Sequence, residues 1–322
     1  MNALVTGASG LLGSHVLKAG LDRGVALRAT SRSVPRRSYL QECAGQIVHV
    51  KADLAAEVPE DLLDGVETVI HCAGLASSLP GDEQKLRRVN VDAARRLFEK
   101  AEAAEVATWV QISSVAAIAG GADGGVINEL WQGGCRPTAY GRSKWEVDRW
   151  MEGRSSRMRV LFIHPCYMLG PWDSKPSSGA IFYALRLKRV RHFVDGVKNF
   201  VAAADVADGI WQAIAAGSAG HYLLGNANVR ISEFLATTCD LMGMDFSSLV
   251  EVPATVLETG LMPQGDEAKL SEAELSFMQE FCISGAVSWE KAARDFGYAP
   301  RVGLQEMIRL ALQYLMLLRP TQ

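Results

Sequence analysis

The stretch "LVTGASGLLGSHV" (4–16) limits what this chain can fold into more than any other. Gly7, Gly10 and Gly13 form G-x-x-G-x-x-G, directly after a short apolar run and at the opening of a helical pattern. In a strand–turn–helix, a first glycine permits a tight turn and a second lets a pyrophosphate approach the backbone. A third lets helix and strand pack closely. The helix N-terminus then offers free N–H groups and a partial positive charge to phosphates. A glycine-rich turn in an unrelated α/β protein is the plainer reading, but position and context both favour a nucleotide site.

The rest of the first half agrees with a strand–helix alternation. Short β-like runs ("ALV", "ALRAT", "IVHV", "TVIHC", "TWVQIS") are separated by helical patterns, and a further cycle brings a helix around 138–152 and the strand "RVLFIH". Such alternation predicts an α/β fold of right-handed βαβ units, a Rossmann-type, doubly wound parallel sheet. Beyond Pro165 the rhythm breaks, and "GPWDSKPSSG" (170–179) reads as a loop. Helices are expected near 205–216, 231–242, 271–282 and 303–318, with a strand at "HYLLG". The expected division is a dinucleotide-binding domain over 1–165, joined by returning segments at about 199–225. A smaller C-terminal substrate-binding domain would comprise 166–198 and 226–322.

Composition excludes more than it identifies. The 322 residues are 48% hydrophobic and 21% charged, with a net charge of −3, which argues against broad nucleic-acid binding. Six cysteines (43, 72, 135, 166, 239 and 282) show no Cys-x-x-Cys pair and no cluster with His. They read as reduced thiols, with neither a disulfide framework nor a metal site. No apolar run has the length of a membrane span and "MNALVTGASG" has no signal-peptide pattern, so a cytoplasmic location and no membrane partner are expected.

Strand two ends in "LRATSRS" (27–33), where an NAD enzyme usually carries a carboxylate for the ribose hydroxyls. Here Ser31 takes that position, with Arg32 beside it and Arg28, Arg36 and Arg37 nearby. A guanidinium makes charge-assisted bonds to a 2′-phosphate, so NADP(H) is the expected cofactor. For Arg36 and Arg37 a solvated loop explains the charge equally well.

The glycine spacing, the arginine after strand two and "HPCYMLGP" (164–171), with His164 where Arg is usual, together resemble an extended short-chain dehydrogenase/reductase. The likeness lies with the group containing dihydroflavonol reductases, 3β-hydroxysteroid dehydrogenases and sugar-epimerase-like proteins, and "NFVAAADVADGI" and "WEKAARDFGYAPR" extend it over nearly the whole chain. It implies cofactor contacts from Gly7, Ser9, Gly10, Leu11, Leu12 and Gly13, from Arg32 and Arg36, and from Asp53 and Leu54 flanking the adenine. It further implies Cys72, Ala73 and Gly74 along the cofactor, Pro165, Cys166, Tyr167 and Met168 beside the nicotinamide, and Ser178. Asp205 would fix a helix start, and His71 reads as structural.

The resemblance gives "TAYGRSK" (138–144) its meaning. Tyr140 and Lys144 match the family's Tyr-x-x-x-Lys, and Ser114 matches its upstream serine, with Ser113 as the rival. The chemistry suits the residue types. Ketone reduction needs a proton on oxygen as hydride reaches carbon, and a tyrosine, with a reference pKa near 10, exchanges protons poorly at neutral pH. An ammonium one helical turn away favours phenolate, and a serine hydroxyl holds the oxygen as charge builds on it. Both Tyr140 and Lys144 would also touch the cofactor. Arg142 falls off the Tyr–Lys face.

Expected substrate contacts are Ala76, Ser114, Tyr140, Tyr167, Met168 and Phe182; Trp172 and Tyr183 are further aromatic candidates. The expected activity is NADPH-dependent reduction of a largely apolar ketone. Alternatives are a nucleotide-sugar epimerase, with Arg186, Lys188, Arg189 and Arg191 as phosphate contacts or as a solvated helix end, and a non-catalytic NADP(H)-binding regulatory protein. Homodimerisation through helices near 83–104 and 138–152 is a further expectation.

Overall fold

The computed structural model describes residues 1–77, 79, 81–118, 125–130, 134–259, 270, 272–282 and 285–317. Six strands alternate with helical segments in chain order: β1 (Asn2–Thr6), β2 (Ala26–Ser31), β3 (Val48–Lys51), β4 (Thr68–His71), β5 (Thr108–Ile112) and β6 (Arg159–Pro165). Four short strands follow, β7 (Tyr167–Leu169), β8 (His192–Phe193), β9 (Val197–Ala202) and β10 (Gly220–Leu224), then β11 (Ala227–Arg230) and β12 (Val250–Glu251). The main sheet has seven strands in the order β10-β6-β5-β4-β1-β2-β3, and each neighbouring pair is parallel. The order reverses between β1 and β4, and open α/β sheets bind ligands in the crevice at such a point.

Alternation along β1 explains why both faces are covered. Ala3 and Val5 pack with Leu12, Val16 and Leu17 of helix Leu11–Leu21 and with Val206, Ile210 and Trp211 of helix Ala203–Ala215. Leu4 points the other way, to Leu97 and Phe98 of helix Ala93–Ala103 and Val147 and Met151 of helix Ala139–Glu152. The inner strands β1, β4 and β5 are therefore buried at nearly every position, as strands covered on both faces are.

A second core lies beyond this sheet. Phe182, Phe200 and Phe234 are fully buried there, and the rings of Phe200 and Phe234 stack at 4.4 Å and 7°. Each such burial contributes roughly 1.5–3 kcal/mol. Helices Ile231–Met242 and Leu304–Leu315 close over a small sheet in the order β11-β9-β7. Strand β9 belongs to both cores, with Val201 in the first and Phe200 and Ala202 in the second.

Helices Ala203–Ala215, Ile231–Met242 and Glu272–Cys282 and strand β10 fall where the patterning expects them, although residue 271 lies outside the described residues. The last helix ends earlier than expected, at Leu315, with Met316 in a left-handed conformation; residue 318 also lies outside the described residues. Asp205 does not cap its own helix. Buried in that helix's first turn, it accepts N–H bonds from Arg301 and Val302 at 3.1 and 3.0 Å, which fixes the approach to the last helix. Among the described residues no helix is long and apolar enough to cross a membrane.

Candidate active site

The glycine loop is shaped by close backbone contact. Gly7 has φ +62°, and a Cβ there would lie 2.7 Å from the backbone of Ala73, at the end of β4. A Cβ on Gly13 would lie 2.3 Å from the Gly7 carbonyl oxygen, so the third glycine lets the helix seat against the turn. Gly10 is the N-cap of helix Leu11–Leu21, exposed at the mouth of the turn, while Leu11 and Leu12 point into the core. Ser9 is half-buried, and its carbonyl accepts the Ser174 hydroxyl at 3.3 Å. This is a cradle that suits a dinucleotide: backbone at the switch point, no side chain in the way, and a helix N-terminus behind it.

After β2 the arginines separate into two groups. Arg28 donates to the carbonyls of Asp61 and Leu62, and Arg37 donates to the Tyr314 carbonyl while its guanidinium lies 4.7 Å over the Tyr314 ring. Arg32 and Arg36 remain exposed. Asp53 is exposed and accepts the Ala55 N–H at 3.1 Å, whereas Leu54 is a core residue at 7% exposure.

The loop after β4 is tied to β1, since the Ala73 N–H donates to Thr6 Oγ1 at 3.0 Å and that oxygen lies 2.9 Å from His71 Nδ1. His71 is buried, and burial lowers its pKa to about 3, so it is held neutral against Thr6. Desolvation pushes the thiol of half-buried Cys72 up to about 12. Gly74 leaves room for an ammonium: its Cβ would lie 3.2 Å from Lys144 Nζ.

Helix Ala139–Glu152 starts at Thr138, whose hydroxyl accepts the Gly141 N–H at 3.0 Å. Tyr140, Lys144 and Asp148 then follow at four-residue intervals on one face. Lys144 is buried and donates to the Ile112 carbonyl, at the end of β5, at 2.8 Å. Burial lowers its pKa, and the Asp148 carboxylate opposes that shift. Burial likewise pushes the Asp148 carboxyl up to about 7, against its hydrogen bond from Ser113 and the Lys144 charge. That bond separates the rival serines. Ser113 Oγ is spent on Asp148, whereas Ser114, half-exposed, accepts the Ala116 N–H at 3.2 Å.

Asn90 is a site residue that sequence reasoning missed. It lies in a π-helical turn, Arg87–Asp92, and binds the Leu75 N–H and carbonyl at 2.7 and 2.9 Å and Ser143 Oγ at 3.0 Å. It thus joins the loop after β4 to the helix carrying Tyr140 and Lys144. A buried polar residue inside an apolar helical stripe was the available signal, and π-turns gather at functional sites.

A cavity of about 280 Å³ opens over the carboxyl ends of the strands. Ser114 and Tyr140 line it together with Ala76, Pro165, Cys166, Tyr167, Met168 and Ser178, and so do Ser113, Ile181, Phe281 and Val287. Two cationic side chains that the sequence did not single out, Arg136 and Lys198, also line it; both are more than nine-tenths buried. Phe182 does not. It is wholly buried in the second core, and its neighbour Ile181 faces the cavity instead, because successive helical residues point about 100° apart. Trp172 lies against His15 and Tyr39, with ring centroids at 4.7 and 5.0 Å. Tyr183 is exposed, as are Arg186, Lys188, Arg189 and Arg191, and none of these lines the cavity.

Comparison with known proteins fits this geometry. The model of the NAD dependent epimerase/dehydratase family matches residues 3–225. Sterol demethylase protein B of Methylococcus capsulatus is 34% identical over 251 residues, 76% of this chain and 75% of that protein. The 4-hydroxy-2-methyl-3-oxo-4-farnesyl-3,4-dihydroquinoline-1-oxide ketoreductase of Stigmatella aurantiaca is 25% identical over 323 residues, covering 95% of this chain and 94% of that one. Among solved structures, UDP-glucuronic acid 4-epimerase from Bacillus cereus in complex with NAD has a TM-score of 0.78 over 98% of this chain and 99% of that one. At 16% identity that is a likeness of fold alone.

Proposed function

The chain belongs to the NAD dependent epimerase/dehydratase family, within the extended short-chain dehydrogenases/reductases, and from that premise we propose that it is an NADP(H)-dependent reductase of a ketone, running reversibly as an alcohol dehydrogenase. One observation carries this reading: Ser114 and Tyr140 face a common cavity with the Lys144 ammonium buried behind them, and no carboxylate is among the described residues lining it. Elimination from a sugar needs an acid and a base in addition to the Tyr140 hydroxyl, and the described wall offers no carboxylate for either role. The ketoreductase from Stigmatella aurantiaca, aligned over nearly the full length, supports the same choice.

Bound nicotinamide would supply the hydride. The chain's own residues do the rest: the Tyr140 hydroxyl gives its proton to the carbonyl oxygen, the Lys144 ammonium favours the phenolate left behind, and the Ser114 hydroxyl holds the oxygen as charge develops. Tyr167, Met168, Ile181, Phe281 and Val287 give the cavity the apolar wall that suits a ketone of low polarity. Ser31 in place of a carboxylate, with Arg32 exposed beside it, favours NADPH. A second reading, nucleotide-sugar epimerisation, draws support from Arg136 and Lys198, whose charges on the cavity wall suit an anionic group.

The test is NADPH oxidation across a ketone panel, run beside conversion of UDP-sugars without net cofactor turnover. Tyr140→Phe is expected to lower ketone reduction at least about 100-fold with NADPH binding nearly intact. Arg32→Ala is expected to weaken NADPH about tenfold or more and leave NADH unchanged. A clear NADH preference overturns the cofactor assignment. Sugar epimerisation with no ketone reduced overturns the reaction.

A further inference from the structure

Ser114 is held from behind by two histidines that lead to the surface. His164 of β6 has Nδ1 3.1 Å from the Ser114 carbonyl oxygen. Its Nε2 lies 2.8 Å from Nδ1 of His221 on β10. His221 Nε2 in turn lies 2.5 Å from Glu152 Oε1, at the end of the helix that carries Tyr140 and Lys144. The two imidazoles are nearly parallel, and Phe162 stacks on His221 at 4.4 Å. His164 is fully buried, while the His221 and Glu152 side chains are 25% and 30% exposed.

The donors in this chain do not add up for neutral rings. A carbonyl oxygen and a carboxylate only accept, so each end requires a ring N–H, and the contact between the rings requires a third. Two neutral imidazoles carry two. We infer that the His164–His221–Glu152 chain holds one extra proton at its His221–Glu152 end, and that this fixes His164 as the Nδ1–H tautomer and makes it a positioning residue for Ser114. The inference rests on the reading of Ser114 as the group that holds the substrate oxygen.

The surroundings say where the proton sits. Burial lowers the His164 pKa to about 3, and His221, Lys144 and Lys291 all oppose a charge on it, so it is neutral. At His221 burial outweighs the Glu152 carboxylate, Lys291 and Arg149 add to it, and the pKa is lowered overall, so the proton leaves at a lower pH than from an ordinary imidazole. When that proton leaves, one contact must fail. Losing the inner one would leave the Nδ1–H of a fully buried imidazole without an acceptor, whereas losing the outer one happens at the surface. There Arg149 already pairs with Glu152 at 2.8 Å. The inner contact therefore persists and the outer one is labile.

What hangs on the inner contact is the serine itself. The same Ser114 carbonyl accepts the Ala117 N–H at 2.9 Å, closing the turn whose Ala116 N–H donates to Ser114 Oγ. The Ala116 carbonyl then accepts the Arg136 N–H at 2.9 Å, just ahead of the helix that bears Tyr140. Turning the Ser114 peptide plane would move the hydroxyl relative to Tyr140.

Ring-nitrogen NMR of histidine-labelled protein tests this between about pH 5 and 8. His164 is expected to keep a single Nδ1–H tautomer throughout, and His221 to titrate in one step. In Glu152→Gln the amide supplies the missing N–H, so His221 is expected to stay neutral across the range while His164 is unchanged. An Nε2–H tautomer at His164, or titration of His164 itself, overturns the inference. With a ketone that the wild type reduces, His164→Leu is expected to lower kcat roughly tenfold or more with NADPH affinity unchanged. His164→Asn, which keeps an N–H near the Nδ1 position, is expected to restore most of it. A folded, NADPH-binding Leu variant with full kcat overturns the positioning role. Absence of any ketone activity in the wild type counts against the reductase reading alone, since the tautomers are read without substrate.

Discussion

Ser113 and Ser114 are chemically identical neighbours, and their surroundings give them different work. Alternation at the end of β5 turns Ser113 towards the helix, where Asp148 takes its hydroxyl, and leaves Ser114 over the cavity. Spacing cannot separate two adjacent serines, so only the fold resolves that rivalry. The consequence is measurable. Ser114→Ala is expected to lower turnover about 100- to 1000-fold, the range for removing one oxyanion donor, with stability nearly unchanged. Ser113→Ala is expected to act in the opposite sense, costing about 1–2 kcal/mol in urea unfolding because it deprives the buried Asp148 of a donor, with a smaller effect on turnover. Equal kinetic losses in the two variants would contradict the assignment.

Elements were legible in the sequence where their period was unbroken and their ends were marked. The glycine loop and the Thr138 cap mark helix starts, and the inner parallel strands carry short apolar centres such as Val69-Ile70 and Trp109-Val110. Strand β9 was read as a family signature and not as a strand, because Lys198 and Asn199 interrupt its apolar run. Those two residues are buried and line the cavity, so the polar wall of the cavity interrupts the pattern. The phase of the short helix Ala180–Arg186 was illegible for another reason: seven residues give under two turns, and Ile181, Phe182 and Leu185 are all buried. Asn90 lay within a correctly expected helix, yet its partner is a loop fifteen residues away that only folding brings near. The glycine turn is the element on which a single Cβ should tell most. Gly7→Ala combines a left-handed backbone with a contact of 2.7 Å to Ala73. It is expected to cost about 2–4 kcal/mol and to abolish measurable NADPH binding, checked by urea titration and by cofactor fluorescence. Gly24, also at positive φ but with open space around it, is the control and should lose only the backbone part of that cost.

At the scale of the whole molecule, the site lies where the strands end, and three buried histidines support its rim. His15 lies beneath Gly170 and Trp172, His71 binds Thr6 under the loop after β4, and His164 holds Ser114. Burial lowers their pKa values from 6.5 to about 4, about 3 and about 3 respectively. In the unfolded chain each would take up a proton as pH falls through 6.5, while the folded protein keeps all three neutral. Their contribution to stability is therefore complete above about pH 6.5 and is lost progressively as pH falls towards 4. Three protons taken up on unfolding, less the one that the buried Asp148 carboxyl gives up over the same range, correspond to a slope of about 3 kcal/mol per pH unit. Between about pH 6.5 and 5 that removes about 4 kcal/mol, a large share of a total stability of about 5–15 kcal/mol. Urea midpoints measured from about pH 7.5 down to pH 5 should fall steeply below 6.5, and His164→Asn should make that fall shallower by about one proton. A midpoint that stays flat across this window would mean that these histidines are not held neutral, and the same result would remove the buried, neutral His164 on which the positioning of Ser114 depends.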